Sequence, residues 1–87
     1  MKATALVAWN LRRLRVSRAV PQDILAADAE VDRTYVSRLE RGLENPTIGV
    51  LERLANTLNF HISELFIEPA PGERAPQSLR GGRKSRR

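Results

Sequence analysis

The chain has no cysteine and a single histidine, His61. Without thiolates there are no disulfide staples and no cysteine-held metal, and one imidazole leaves zinc without an ordinary ligand set. Aromatic residues are scarce: Trp9, Tyr35, Phe60 and Phe66 are the only four. That is a poor supply for recognising RNA by base stacking. No apolar run approaches the roughly 20 residues needed to span a bilayer, and strand-like alternation is absent. The stretch from Met1 to Trp9 has one lysine and a short apolar run, lacks a convincing cleavage site and leads straight into arginines, so it is not read as a signal peptide. A cytoplasmic protein is expected, with no membrane partner, no cofactor, no metal and no small-molecule ligand. The polar residues offer no nucleophile with a plausible base and no phosphate loop, so no enzyme is expected.

What is present fits one small domain. The chain has 87 residues, 41% of them hydrophobic. Such a domain buries a thin core and depends on well-packed helices or on dimerisation. The net charge of +5 is unevenly placed: residues 1–68 carry nine basic and nine acidic side chains, and residues 69–87 carry six basic and one acidic. Any basic surface on the first part must come from segregating charges onto faces. Glu68-Pro69-Ala70-Pro71-Gly72 stops a helix. The Gly-containing, arginine-rich stretch after it, ending Arg80-Gly-Gly-Arg-Lys-Ser-Arg-Arg87, is expected to be a disordered basic tail. The expected division is a domain at 1–68 and a flexible tail at 69–87. The tail is read as adding sequence-independent phosphate attraction, as reaching into the minor groove, or as a solubilising end.

Periodicity before that boundary predicts five short helices. The first spans about Ala5 to Arg18, with Val7, Leu11 and Leu14 on one face. The second opens at Pro21 or Gln22, where a proline suits the first turn, and closes near Ala29 with Leu25, Ala26 and Ala29 inward. The third follows Asp32, a good N-cap, and stops at Gly42. The fourth follows Thr47 and runs to about Leu58, with Ile48, Leu51, Leu54, Ala55 and Leu58 as its stripe. The fifth covers about Ile62 to Ile67, with His61 and Glu64 in a capping-box arrangement. Helix one also carries a second apolar stripe, Ala5, Trp9 and Val16, left either to solvent or to a contact. The fold class is all-α, a compact five-helix bundle.

The informative stretch is Gln22 to Gly42. Two short helices joined by the turn Glu30-Val31-Asp32 are the helix-turn-helix signature. Steps of about 100° around the third helix set Tyr35, Val36 and Leu39 on one side. Arg33, Thr34, Ser37, Arg38 and Arg41 fall on the other, three arginines and two hydroxyls without an acid among them. Arginine suits guanine edges and phosphates, and hydroxyls suit either. Glu40 lies on the border between the faces and needs a partner. An ordinary solvated helix face is the competing reading of such a pattern.

These residues resemble the Cro/C1-type (XRE) helix-turn-helix family of bacterial and phage regulators. The resemblance runs from about Leu11 to Phe66. It rests on Leu-Arg-Arg-Leu-Arg at 11–15, Gln22 with Leu25-Ala26, and Asp-Arg-Thr-Tyr-Val-Ser-Arg-Leu-Glu-Arg-Gly at 32–42. Asn45-Pro46-Thr47, Leu-Glu-Arg-Leu-Ala at 51–55 and Ser-Glu-Leu-Phe at 63–66 complete it. It implies a lambda-repressor-like DNA-binding domain acting on double-stranded DNA. Arg33, Thr34 and Arg38 take the positions that meet bases, and Ser37 takes one that meets a base or a phosphate. Gln22 meets the backbone and can brace a base-reading side chain. Tyr35 offers its hydroxyl to a phosphate or only packs. Arg41 lies on the same face, and Asn45 and Thr47 stand where free helix amides favour a phosphate. Arg15 and Glu40 match a family pair that forms a buried salt bridge. Three departures stand out: Glu30 and Asn59 where glycine is usual, and Pro21 where a serine or threonine cap is common. Glu30 puts the turn geometry in question if a left-handed conformation persists there.

The resemblance also implies a homodimer, reading half-sites about 34 Å apart. Ile62, Phe66 and Ile67 are its candidate contact residues; the other reading is that Ile62, Leu65 and Phe66 simply close the domain core. The expected function is a transcriptional regulator, a repressor reading a palindromic operator through the major groove. A controller of a restriction–modification system, an operon-autoregulating antitoxin and a protein- or RNA-interaction module remain the alternatives.

Overall fold

Leucines and alanines at helical spacing, with few β-branched residues among them, build the computed structural model, which describes residues 1–74. Four α-helices follow in order: α1 (Ala3–Ser17), α2 (Gln22–Ala29), α3 (Arg33–Glu40) and α4 (Ile48–Thr57). A 3₁₀ helix, Ile62–Phe66, closes the domain, and no strand occurs among the described residues. The fifth element is thus a tighter turn than the expected α-helix. The expected tail lies outside the described residues from 75 onward. Within 69–74, a turn is closed by Glu73 N–H donating to Ala70 O at 2.9 Å.

The core is one cluster to which every element contributes, with Leu11, Leu14, Leu25, Leu39, Leu54 and Leu65 at its centre. Each such leucine is worth about 1.5–3 kcal/mol relative to exposure. α1 packs against α3 and the 3₁₀ helix, and α2 against α3 and α4. The stripe expected on α4 is one residue too long: Ile48 is 67% exposed. It is the first residue of α4 and sits one turn before Leu51, where the helix enters the core.

The helices start and stop by local chemistry. Asp32 accepts from Thr34 N–H at 3.0 Å to cap α3, and the Thr47 hydroxyl accepts from Val50 N–H at 3.1 Å to cap α4. Losing such a cap costs about 1 kcal/mol. Pro21 stands at the cap position of α2, just outside the helix, and makes no side-chain cap. All four helices end alike. Val20, Val31, Leu43 and Phe60 each donate a backbone N–H to a carbonyl five residues back (Arg15, Ala26, Arg38 and Ala55), the signature of the Schellman motif. The residue before each donor is left-handed: Ala19 at φ 56°, Glu30 at 61°, Gly42 at 74° and Asn59 at 63°. Only one of the four is the glycine that such a conformation favours. At the last element His61 Nδ1 accepts from Ser63 N–H at 3.1 Å, whereas the Glu64 carboxylate turns to Arg13 at 3.4 Å. The capping box is therefore not made, because an arginine offers Glu64 a charged partner.

Asn10 is a fully buried polar residue that periodicity did not single out. Its Nδ2 faces three carbonyls, Leu6 O at 3.0 Å, Leu65 O at 3.1 Å and Ile67 O at 2.8 Å. Its Oδ1 accepts from Arg13 Nε at 3.0 Å. This knot fastens the end of the domain to α1. Arg18 does the same for α4. It donates from Nε to Leu58 O at 2.9 Å and from Nη2 to Asn59 O at 3.2 Å, and its guanidinium lies 4.2 Å above the Phe60 ring. A cation at a helix C-terminus and over an aromatic face is favourable on both counts.

Candidate nucleic-acid interface

The turn from Glu30 to Asp32 returns the chain so that α3 packs against α2, and Val36 and Leu39 anchor α3 in the core. With those side chains inward, Arg33, Thr34, Arg38 and Arg41 are exposed and Ser37 is half-buried. Tyr35 packs partly against the core. Asn45 and Thr47 are exposed in the loop that leads into α4. The outward residues named from the sequence are thus gathered on and beside α3, but their partners differ. The Thr47 hydroxyl is engaged by Val50 N–H. Arg41 follows the last residue of α3 and borders a groove formed with Met1, Ala5 and Trp9 of the first turns of the chain. Gln22 points inward and donates from Nε2 to Glu40 Oε1 at 3.0 Å.

Glu40 is the joint of the motif. Its side chain is 0% exposed and that of Arg15 is 1% exposed. Arg15 donates from Nε to Glu40 Oε2 at 2.6 Å and from Nη2 to Oε1 at 2.9 Å, a two-pronged charge-assisted pair. Arg15 Nη1 also donates to Val20 O at 3.0 Å. With Gln22 at 3.0 Å and Arg12 Nε at 3.4 Å, the carboxylate gathers donors from α1 and α2 onto α3. The low-dielectric surroundings strengthen each bond and make an unpaired group there costly.

An acid that the helix face did not foretell lies beside α3. Glu44 Oε2 accepts from Arg38 Nε at 2.8 Å, and Leu43 O accepts from Arg38 Nη2 at 3.2 Å. Glu44 sits beyond the glycine that ends the helix, so helical spacing carries no information about it. Partial burial, and next the negative charge of Glu44, raise the Tyr35 phenol above its ordinary 10.0. Tyr35 therefore stays protonated at neutral pH and can donate to a phosphate. Near the closing 3₁₀ helix, Ile62 packs against the core, while Phe66 and Ile67 are 42% and 46% exposed.

Two short helices, a three-residue turn and a donor-rich outer face define a helix-turn-helix domain. The chain belongs to the helix-turn-helix domain family, whose model matches residues 6–65 and so covers all of this geometry. A hypothetical transcription factor of Neisseria meningitidis serogroup B is 35% identical over 65 residues; the match covers 75% of this chain and 61% of that relative. The crystal structure of the hypothetical transcription factor NHTF from Neisseria superposes with a TM-score of 0.75 at 34% identity, covering 78% of each chain. The restriction-modification controller protein C.AhdI from Aeromonas hydrophila gives a TM-score of 0.70 at 33% identity, over 72% of this chain and 96% of that one. The controller protein C.Esp1396I, solved as a tetramer with its natural 35-base-pair operator, gives 0.69 at 29% identity, over 76% of this chain and 87% of that one. No helix among the described residues is long and apolar enough to cross a membrane.

Proposed function

We propose that the protein is a sequence-specific DNA-binding transcriptional regulator, a repressor that reads a palindromic operator as a homodimer with α3 in the major groove. The observation that carries this reading is the outer face of α3: Arg33, Thr34 and Arg38 stand exposed on a helix that is locked from behind by the buried Arg15–Glu40 pair. Arg33, Thr34 and Arg38 meet base edges, and Ser37 a base or a phosphate. Tyr35, Arg41, Asn45 and Thr47 serve the backbone. Gln22 braces the motif through Glu40 and meets the backbone with the rest of its amide. Phe66 and Ile67 supply the two-fold contact, with Ile62 behind them. Residues 1–68 form the DNA-binding unit and 69–87 a separate basic segment. Binding, not catalysis, is the activity, and it takes place in the cytoplasm. The likeness to C.AhdI and C.Esp1396I favours a second, narrower reading, control of a restriction–modification system. The test is selection from genomic DNA at physiological salt with the wild-type protein and with Arg33→Ala/Arg38→Ala. A palindromic site lost in the variant supports the reading, and the gene beside it separates repressor from controller. Selection of no sequence overturns it.

A further inference from the structure

We infer that Glu44 is a specificity-determining residue that acts through Arg38, presetting its guanidinium to read a guanine. This rests on the proposed reading of α3 as the base-contacting helix. A guanidinium has five N–H donors in a fixed planar fork. In the structure one side of the fork is occupied: Nε donates to Glu44 Oε2 at 2.8 Å and Nη2 to Leu43 O at 3.2 Å. Both hydrogens of Nη1 and the second of Nη2 remain. One Nη1 hydrogen and the free Nη2 hydrogen form the end-on edge, two parallel donors that match O6 and N7 of guanine. Both side chains of the pair are partly exposed, and Arg38 stands on the outer face of α3.

Two consequences follow from charge and entropy. A free arginine loses much rotamer freedom when it is ordered on a base, whereas one already held in place loses less. The pair is also neutral as a unit. Arg38 therefore adds little to the sequence-independent attraction that comes from displacing counterions on phosphates. Glu44 converts an arginine that would grip any backbone into one that rewards a particular base.

The experiment uses the full chain and a randomised duplex library. Wild type, Glu44→Ala, Glu44→Gln, Arg38→Ala and the Arg38→Ala/Glu44→Ala double variant are each selected, and binding to random-sequence duplex is measured against salt. The base pair whose preference disappears in Arg38→Ala marks the Arg38 contact. Glu44→Ala is expected to lower guanine preference at that pair by about fivefold or more, the low end for one bidentate contact. It should bind random duplex more tightly, with a salt slope steeper by about one. Glu44→Gln, which keeps an acceptor for Nε, should retain part of the guanine preference while showing the steeper slope. In the Arg38→Ala background the same change should alter no base preference. Wild-type guanine preference in Glu44→Ala, or an equal change with and without Arg38, overturns the inference and leaves the proposed function standing. If the wild type selects no sequence, both fall.

Discussion

Arg15 and Glu40, 25 positions apart, meet through two hydrogen bonds of 2.6 and 2.9 Å inside the core. The pair joins α1 to α3 and so fixes the angle at which the outer face of α3 is presented. Glu40→Ala leaves the buried Arg15 charge without its carboxylate and is expected to cost about 3–5 kcal/mol; Arg15→Ala leaves Glu40 the longer Arg12 contact at 3.4 Å and should cost somewhat less. Arg15→Met with Glu40→Leu removes both charges and should recover most of that loss. Denaturant unfolding of the three variants checks the order; a double variant as unstable as the worse single would contradict it.

Left-handed residues other than glycine end three helices. Ala19→Gly and Glu30→Gly relieve a steric cost of about 1–2 kcal/mol, offset by the greater freedom of glycine in the unfolded chain. Each should gain about 0.5–1 kcal/mol and raise Tm. Gly42→Ala is the converse. A Cβ there meets nothing nearer than 4.0 Å, so its loss of about 1 kcal/mol reports backbone conformation alone.

Asn10→Ala leaves the buried Leu65 carbonyl without its donor. The expected loss is about 1–3 kcal/mol, with amide exchange accelerating first around residues 62–67. Uniform acceleration across all helices would count against the knot as the local fastening.

The titration of Tyr35 is a probe of Glu44. Its folded pKa is raised, so the folded state holds the phenolic proton more tightly than the unfolded chain does. Stability from this source is fully present below the ordinary value of 10.0 and is lost as pH rises through the folded pKa. Tyr35→Phe should flatten that alkaline decline. Glu44→Gln should shift the phenol's ultraviolet titration to lower pH, though not fully, because burial is the larger cause.

Phe66→Ser and Ile67→Asp change side chains that are 42% and 46% exposed, so each should cost the folded monomer no more than about 1–2 kcal/mol. If two copies meet there, sedimentation will show monomers and operator affinity will drop steeply. A dimer surviving both changes places the contact elsewhere.

Helix spans, most of the core and the outer face of α3 were legible because burial and exposure repeat at helical spacing. The tie between Arg15 and Glu40 was not: periodicity left Glu40 on a border, and only the family resemblance supplied its partner. Asn10 carried an overlooked signal, since it lies on the core side of α1, three residues after Val7 and four before Leu14. Ile48 was misread because a stripe does not reveal where the packing partner ends. Ala19 was invisible because left-handed ends are sought at glycine and asparagine, and tertiary packing overrode that preference. Glu44 and the inward turn of Gln22 depend on a loop path and on competition among donors for one carboxylate, neither of which has a sequence period.

Asn10 holds the carbonyl of Ile67 to α1, and Arg15 holds α1 to α3. The exposed side chains at 66 and 67 are thereby connected to the outer helix through two buried polar joints, with no slack segment between them. Two copies meeting on those side chains would carry their α3 helices at a set distance and rotation. One base pair inserted between half-sites turns the duplex by about 35°, more than so short a linkage can absorb. The length of the spacer would then be read as strictly as the letters on either side of it.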